Sequence, residues 1–141
     1  MERLLVVDDE SEMVLVLKKF LTREGFSVSS ANNGNDALKS LEKKGKIDLM
    51  ILDMKMPGIK GIDVLQILRD KKLDLPVIVL TGSLNFSGFV EKMESLGYSK
   101  EDVLFKPVSL FELLSVIYKK LGKDSQKLGQ KKAALMREIK L

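Results

Sequence analysis

Four short apolar runs in this chain end on residues that apolar runs normally avoid. "LLVV" stops at Asp8 and Asp9, "LMIL" at Asp53, "VIVL" at Thr81 and "VLF" at Lys106. Three carboxylates, a hydroxyl and an ammonium have a joint chemistry if folding brings them together. Crowded carboxylates repel one another unless a cation sits among them, and a small hard dication such as Mg²⁺ uses one or two carboxylates, keeps several waters and adds phosphate oxygens. An ammonium and a hydroxyl beside it would stabilise the charge that develops on the equatorial oxygens of a transferring phosphoryl group. One carboxylate can then be the nucleophile, because aspartate forms an acyl phosphate.

Composition removes most rival chemistries. The chain contains neither cysteine nor histidine, which excludes disulfides, thiolate or imidazole metal ligands, cysteine nucleophiles and histidine-based triads. Any bound metal is therefore hard and held by oxygen. With 141 residues, 45% of them apolar and 31% charged, the chain suits one domain with a substantial core, and two full domains would not fit. The start, "MERLLVVDDE", has acids where a signal peptide would continue its apolar region, and no N-terminal hydrophobic stretch approaches membrane-spanning length. The expectation is a cytoplasmic protein with no membrane segment. The net charge of +4 is unevenly spread: residues 1–122 carry 18 Lys/Arg against 18 Asp/Glu, whereas residues 123–141 carry 6 against 2. All of the excess lies in the tail.

The elements that must position the five polar residues can be read from periodicity. "RLLVV" is a buried-type strand. "SEMVLVLKKFLTREG" sets Met13, Val14, Val16, Leu17, Phe20 and Leu21 at helical spacing, with Ser11 as N-cap and Gly25 as the stop. "FSVSSA" alternates like a strand, "NNGNDALKSLEKKG" gives a capped helix, and "IDLMILD" gives a second buried strand. A third helix runs over 61–69 with Ile62, Leu65, Ile67 and Leu68. A strand comes next that starts at Pro76, where a missing donor is tolerated. A less regular helix covers about 86–96, "DVLFKP" is a fifth strand, and "VSLFELLSVIYKKLG" is a fifth helix between Ser109 and Gly122. Five strands alternating with five helices require a parallel sheet covered on both faces, a doubly wound α/β domain over residues 1–122. Ligands in such sheets sit outside the carboxyl ends of strands, at the point where strand order reverses. All five polar residues fall at carboxyl ends.

Each of them also has a structural explanation when taken singly. Asp9 can cap a helix, Asp53 can open a turn, Thr81 can be an ordinary β-branched strand residue, and Lys106 can be a solvated amine. Phe86, Phe89, Phe105 and Phe111 read as core or half-buried residues rather than a binding platform. The joint pattern is what carries information.

That pattern resembles the receiver domains of two-component response regulators. The likeness covers residues 2–121 and rests on the acidic pair Asp8–Asp9, on Asp53 followed by "MKMPGIKG", on Thr81 at the end of the fourth strand, and on Lys106–Pro107. It implies a flavodoxin-like (βα)5 fold with strand order 2-1-3-4-5. The resemblance further implies that Asp53 accepts a phosphoryl group from a phosphohistidine on a partner histidine kinase or phosphotransfer protein. Mg²⁺ would then be ligated by Asp9 and Asp53, by the backbone carbonyl of Lys55, and by Asp8 directly or through water. By the same likeness Lys106 pairs with Asp53, Thr81 bonds the phosphoryl oxygen, the peptide before Pro107 is cis, and Lys55 and Ser83 line the mouth of the pocket. "MPGIKG" has a backbone reading of its own, since Pro57 fixes φ while Gly58 and Gly61 permit a tight loop beside Asp53. Such a domain is a signalling switch that acts on a further protein or on an output domain, and it is an enzyme only toward its own phosphoryl group.

The sequence departs from the family in one informative place. Receiver domains carry Tyr or Phe three residues before the lysine, and here that position is Val103; the stretch from Gly97 to Lys106 is also about two residues longer than the common pattern. Output would then rely on Thr81 and backbone shifts, or on Tyr98 or Phe105. Two other functions compete with a phosphorylated switch. A pseudo-receiver would act as an adaptor without phosphorylation, and an aspartyl-phosphate phosphatase is disfavoured because Lys55 stands where that pattern wants a second aspartate. Nucleic-acid binding by the basic tail is disfavoured too, as "KDSQKLGQKKAALMREIKL" has no aromatic residue and no recognisable binding fold. In that tail Leu114, Leu121, Leu128 and Leu135 recur every seven residues, but Ile117, Asp124, Lys131 and Glu138 leave the other side of any coiled-coil seam polar. The tail therefore reads as a frayed segment with a helical stretch near 131–141, as a linker helix to an output domain, or as a docking element whose Leu135, Met136 and Ile139 meet a partner.

Overall fold

The computed structural model describes residues 1–43, 45–55, 60–82, 87–124, 126 and 128. Five strands, β1 (Arg3–Val7), β2 (Ser27–Ala31), β3 (Leu49–Asp53), β4 (Val77–Thr81) and β5 (Val103–Phe105), alternate with five helices: α1 (Ser11–Arg23), α2 (Gly34–Glu42), α3 (Gly61–Asp70), α4 (Ser87–Ser95) and α5 (Leu110–Leu121). The sheet is all-parallel in the order β2-β1-β3-β4-β5. This is the flavodoxin-like doubly wound fold expected from the sequence.

The period-2 alternation of the strands divides the interior into two layers. Leu4, Val6, Leu49, Ile51, Ile78, Leu80 and Leu104 point to one face, where Leu17, Phe20 and Leu21 of α1 and Leu113, Leu114 and Ile117 of α5 cover them. Leu5, Val7, Met50, Leu52, Val77, Val79 and Val103 point to the other, under α2, α3 and α4. Over β1, β3 and β4 both faces are buried, which explains why these strands read as continuous apolar runs. Leu128 is buried in the α1/α5 layer, and Leu121 packs against it. The seven-residue leucine spacing from Leu114 through Leu128 thus serves one intramolecular core.

Helix ends follow the expected chemistry with one shift. Asn33 caps α2 by accepting from Asp36 N–H, Ser109 caps α5 by accepting from Glu112 N–H, and Gly122 closes α5 in the left-handed conformation at φ 68°. For α1 the N-cap position belongs to Glu10 rather than Ser11. The reason is the preceding acid: Glu10 N–H donates to Asp8 Oδ1 at 2.9 Å while Glu10 O accepts from Val14 N–H. The turn is set by Asp8, so the helix starts one residue earlier and no side chain caps it. On α3 the fully buried residues are Val64, Leu65 and Leu68, with Ile62 and Ile67 half-buried. On α4, Met93 is buried and Phe89 and Val90 are half-buried.

The longer approach to β5 folds as a 3₁₀ turn, Lys100–Asp102. Ser99 N–H donates to Asp102 Oδ2 at 2.8 Å, Asp102 Oδ1 takes the Lys120 ammonium, and Lys119 pairs with Glu101 at 3.6 Å. The inserted residues are thereby fastened to the last turn of α5. Phe105 departs from the expectation of a core or half-buried ring: its relative exposure is 51%. As the last residue of a three-residue strand, it stands past the helices that cover Val103 and Leu104. Phe111 is half-buried as expected. The expectations for Pro57, Gly58, Ser83, Phe86, Leu135, Met136 and Ile139 lie outside the described residues.

Candidate functional site

Strand order reverses between β1 and β3, since the chain leaves β1 for β2 on one side and returns to pair β3 on the other. The crevice at their carboxyl ends is where Asp8, Asp9 and Asp53 stand. One carboxylate oxygen from each lies within 4.8 Å of the others. Asp8 and Asp53 are buried and Asp9 is exposed. Because Asp8 continues the alternation of Leu4 and Val6, and Asp53 that of Leu49 and Ile51, both carboxyls leave the sheet on the α1/α5 side. Lys106 reaches them there, with Nζ 3.2 Å from Asp53 Oδ1 and 3.8 Å from Asp8 Oδ2.

The backbone around these residues is tightly specified. At Gly61, which opens α3, a Cβ would stand 3.0 Å from Met54 Cα and 3.2 Å from Asp53 O. A glycine there lets the helix start directly against the strand end that carries Asp53. Lys106 N–H donates to Thr81 O at 2.7 Å, which ties the end of β5 to the end of β4, and the Lys106–Pro107 peptide is cis. Thr81 is buried at the end of β4, and Lys55 stands exposed two residues past Asp53.

The electrostatics of this cluster are unbalanced. Among the described residues, three carboxylates face one ammonium. Asp8 Oδ1 accepts the Glu10 N–H, but Asp8 Oδ2 is, among the described residues, buried with no hydrogen-bond partner. Burial pushes the Asp8 carboxyl up to about 6, the nearby Asp53 charge adds to the rise, and the Glu10 N–H and Lys106 oppose it. An orphaned buried oxygen, two further carboxylates within reach and a donor set made only of oxygen fit a hard dication such as Mg²⁺. A charge of +2 would neutralise what Lys106 leaves uncompensated.

The structure brings Asp8, Asp9, Asp53 and Lys106 into one cluster and sets Thr81 on the adjoining strand end. Two features were not read from the sequence. Asp8 is the most enclosed acid, a consequence of strand parity that the DDE triplet alone does not display. Beside the acids an open cleft of about 540 Å³ runs toward α2, walled by Asn32, Asp36, Lys39 and Lys43. Those residues belong to α2 and the turns on either side of it, and no motif spacing marks them.

A parallel α/β domain with an acidic crevice at its switch point and a lysine closing it is the architecture of a receiver domain. The chain belongs to that family: the family model of the response regulator receiver domain matches residues 4–118. It is 30% identical over 122 residues to an uncharacterized transcriptional regulatory protein, YcbL of Bacillus subtilis, an alignment covering 86% of this chain and 52% of that protein. The chain spans about half the length of the curated relatives it matches. Among solved structures it resembles the response regulator TrrA of Thermotoga maritima in complex with Mg²⁺–BeF, at 36% identity and a TM-score of 0.70, covering 86% of this chain and 99% of that one. A second structure of TrrA, in complex with the histidine kinase ThkA, matches at 37% identity and a TM-score of 0.73 over the same shares. Among the described residues no helix is long and apolar enough to cross a membrane.

Proposed function

We propose that this chain is a phosphorelay switch that accepts a phosphoryl group on Asp53 from a phosphohistidine of a histidine kinase or phosphotransfer protein, in the cytoplasm where such a donor is charged by ATP. The observation that carries the reading is the enclosed acidic cluster itself, in which Asp53 is buried at a strand end with the Lys106 ammonium 3.2 Å away. Asp53 Oδ attacks phosphorus; the new O–P bond forms as the P–N bond of the donor breaks, and its electron pair stays on the imidazole nitrogen, which takes a proton from solvent. Lys106 balances charge on the carboxylate before transfer and on the phosphoryl oxygens after it. The Thr81 hydroxyl donates to a phosphoryl oxygen once the group is in place. Asp8, Asp9, Asp53 and the Lys55 carbonyl would hold Mg²⁺, which when bound supplies positive charge to the phosphoryl oxygens. Similarity to a regulator solved with Mg²⁺–BeF, and to the same regulator solved with its histidine kinase, supports both the cation and the partner.

The phosphoacceptor machinery lies within residues 1–122, and the chain beyond it still packs on the α1/α5 layer at Leu128. Residues 123–141 then serve either as the link to an output segment, in keeping with relatives about twice as long, or as a docking element for a separate protein. Phosphorylation need shift the balance of two conformations by only a few kcal/mol to change affinity for that partner.

Intact-mass measurement after incubation with Mg²⁺ and acetyl phosphate tests the proposal. The parent is expected to gain one phosphoryl group, with acetate leaving, and Asp53→Asn to gain none. A parent that stays at its starting mass would leave a pseudo-receiver adaptor, and steady turnover of phosphate monoesters would indicate a phosphatase.

A further inference from the structure

The open cleft beside the acids extends past the phosphoacceptor crevice to a wall of opposite charge. Its volume of about 540 Å³ falls inside the roughly 300–1,000 Å³ of small-molecule sites. Asp8 and Asp9 line one end of it, and Lys39 and Lys43 line the α2 wall. Helix α2 starts at the carboxyl end of the sheet and runs back along it. Lys39 stands in its last turn and Lys43 at its C-cap, so both lie away from the acids.

The polar groups along this cleft differ in how far they are already engaged. Asp36 accepts from the Asn33 side-chain amide at 3.0 Å while its own N–H donates to Asn33 Oδ1 at 2.8 Å, so this acid is tied to the start of its helix. Glu42, next to Lys43 in the chain, is held by Lys71 at 2.8 Å. Among the described residues neither Lys39 nor Lys43 has an ion-pair partner. Ser30 and Ser40 add hydroxyls to the same walls. Ammoniums and hydroxyls together are the donor set that recognises phosphate or carboxylate, and so polar a lining suits a small anion rather than an apolar ligand. A donor such as acetyl phosphate carries only the phosphoryl group that Asp53 receives, and it leaves this wall unused. An acyl phosphate with a second anionic group a few bonds away has one end for the crevice and one for α2.

We propose that this cleft is a subsite for a small acyl-phosphate donor bearing a second anionic group, with Lys39 and Lys43 as the residues that select it. The inference rests on the phosphoacceptor reading above and adds a small-molecule donor to the phosphohistidine named there. Asp53 Oδ attacks phosphorus; the new O–P bond forms as the acyl O–P bond breaks, and its electron pair leaves on the donor's carboxylate. 3-Phosphoglyceroyl phosphate is the probe and acetyl phosphate the reference, both with Mg²⁺ and followed by time-resolved intact mass, with Asp53→Asn to subtract any acylation of lysines. In the parent the ratio of second-order rate constants for phosphoryl uptake is expected to favour the probe by about tenfold. In the double variant Lys39→Ala, Lys43→Ala that ratio should fall to near one. Lys92→Ala with Lys119→Ala, which removes the same charge from exposed positions on α4 and α5, should keep it. A binding measurement is independent of transfer: 3-phosphoglycerate, the acid left behind, should shift the backbone amide resonances of Ser40 and Lys43 in heteronuclear spectra, and inorganic phosphate at equal concentration should shift them far less. A parent ratio near one, a ratio that survives the double substitution, a ratio that falls equally in the α4/α5 control, or no selective amide shift overturns the subsite while leaving Asp53 as phosphoacceptor. A parent that gains no phosphoryl group from either donor overturns both.

Discussion

The two ends of the sheet are built on opposite electrostatic principles. At the amino end, polar groups are matched in pairs: Arg3 N–H donates to Asp48 Oδ2 at 2.7 Å while Asp48 N–H donates to Arg3 O at 2.8 Å. Arg69 donates to Leu96 O at 2.9 Å, Asp102 takes both Ser99 N–H and Lys120, and Lys123 meets Glu2 at 3.1 Å. At the carboxyl end two acids are buried and, among the described residues, one carboxylate oxygen has no hydrogen-bond partner and a single lysine serves both acids. One end spends its polar groups on holding the fold, and the other keeps charge uncompensated where a cation and a phosphoryl group can use it. Changes at the carboxyl end should therefore alter chemistry or raise stability, whereas changes at the amino end should only lower stability.

The largest effect is expected at Lys106. Removing a donor aimed at developing negative charge costs roughly 10²–10³ in rate at preorganised sites. Lys106→Ala should therefore slow phosphoryl uptake from acetyl phosphate by about that factor, read from time-resolved intact mass, with the fold retained by circular dichroism. A rate within a few-fold of the parent would mean that the 3.2 Å contact with Asp53 is structural, and the contrast between the two ends would fail at its strongest point.

Asp8 provides the next test. Its folded-state carboxyl titrates near 6, above its ordinary 3.8, chiefly through burial. Between those values the native protein binds more protons than the unfolded chain, so this group's contribution is greatest in acid and is lost as pH rises through about 6. At 1.36 kcal/mol per unit the difference amounts to roughly 2–3 kcal/mol. In metal-free buffer Asp8→Asn should thus be more stable than the parent at about pH 7, and the gap should close toward about pH 4. Added Mg²⁺ should stabilise the parent at neutral pH and do much less for the variant. Denaturant unfolding at the two pH values decides it; an Asp8→Asn protein less stable than the parent at neutral pH would show the acid to be satisfied after all.

How much of this was legible in the sequence depends on the range of each interaction. Strand and helix periods, the caps at Asn33 and Ser109 and the stop at Gly122 are local, and residues within a turn or so of one another fix them. The acids, the threonine and the lysine were visible because apolar runs ended on them, a contradiction within a few residues. What escaped was set across the sheet. The burial of Asp8 depends on strand parity together with the cover of α1 and α5, and the exposure of Phe105 depends on how far the helices extend past a three-residue strand. The Glu10 N-cap was hidden because it follows a turn set by the Asp8 carboxylate accepting the Glu10 N–H, and no side chain caps the helix itself. The Asp102–Lys120 pair spans an insertion and a helix 18 residues later, and spacing carries no signal for it.

Away from the crevice, Leu128 is the larger of two tests. It is 4% exposed and sits in the α1/α5 layer although it comes after Gly122. Large-to-small substitutions at buried leucines cost about 2–5 kcal/mol, and a residue at the margin of a core should fall near the lower bound. Leu128→Ala is expected to lower unfolding free energy by about 2 kcal/mol and to leave phosphoryl uptake unchanged. A neutral result would place the structural boundary of the domain close to Gly122.

The smallest effect belongs to Lys123, whose ammonium pairs with Glu2 and lies 5.6 Å from the Phe26 ring centroid and 5.7 Å from that of Tyr118. A backbone hydrogen bond at Glu2 itself, then Lys123, hold the Glu2 carboxyl below its ordinary value. Stability from that source is present above the unfolded-state pKa and is lost as pH falls through the lower folded-state one. Both side chains are about one-third exposed, so water and salt screen the pair and its contribution stays within about 1 kcal/mol. Lys123→Met keeps most of the apolar stem and removes the charge. It should cost less than Leu128→Ala, lose part of that cost in high salt, and approach the parent's stability in acid once Glu2 is protonated. A Lys123→Met cost that is instead insensitive to salt and to pH would assign the role of this residue to packing of its stem on Phe26 and Tyr118. The amino end would then owe its stability to buried surface, with paired charge contributing little.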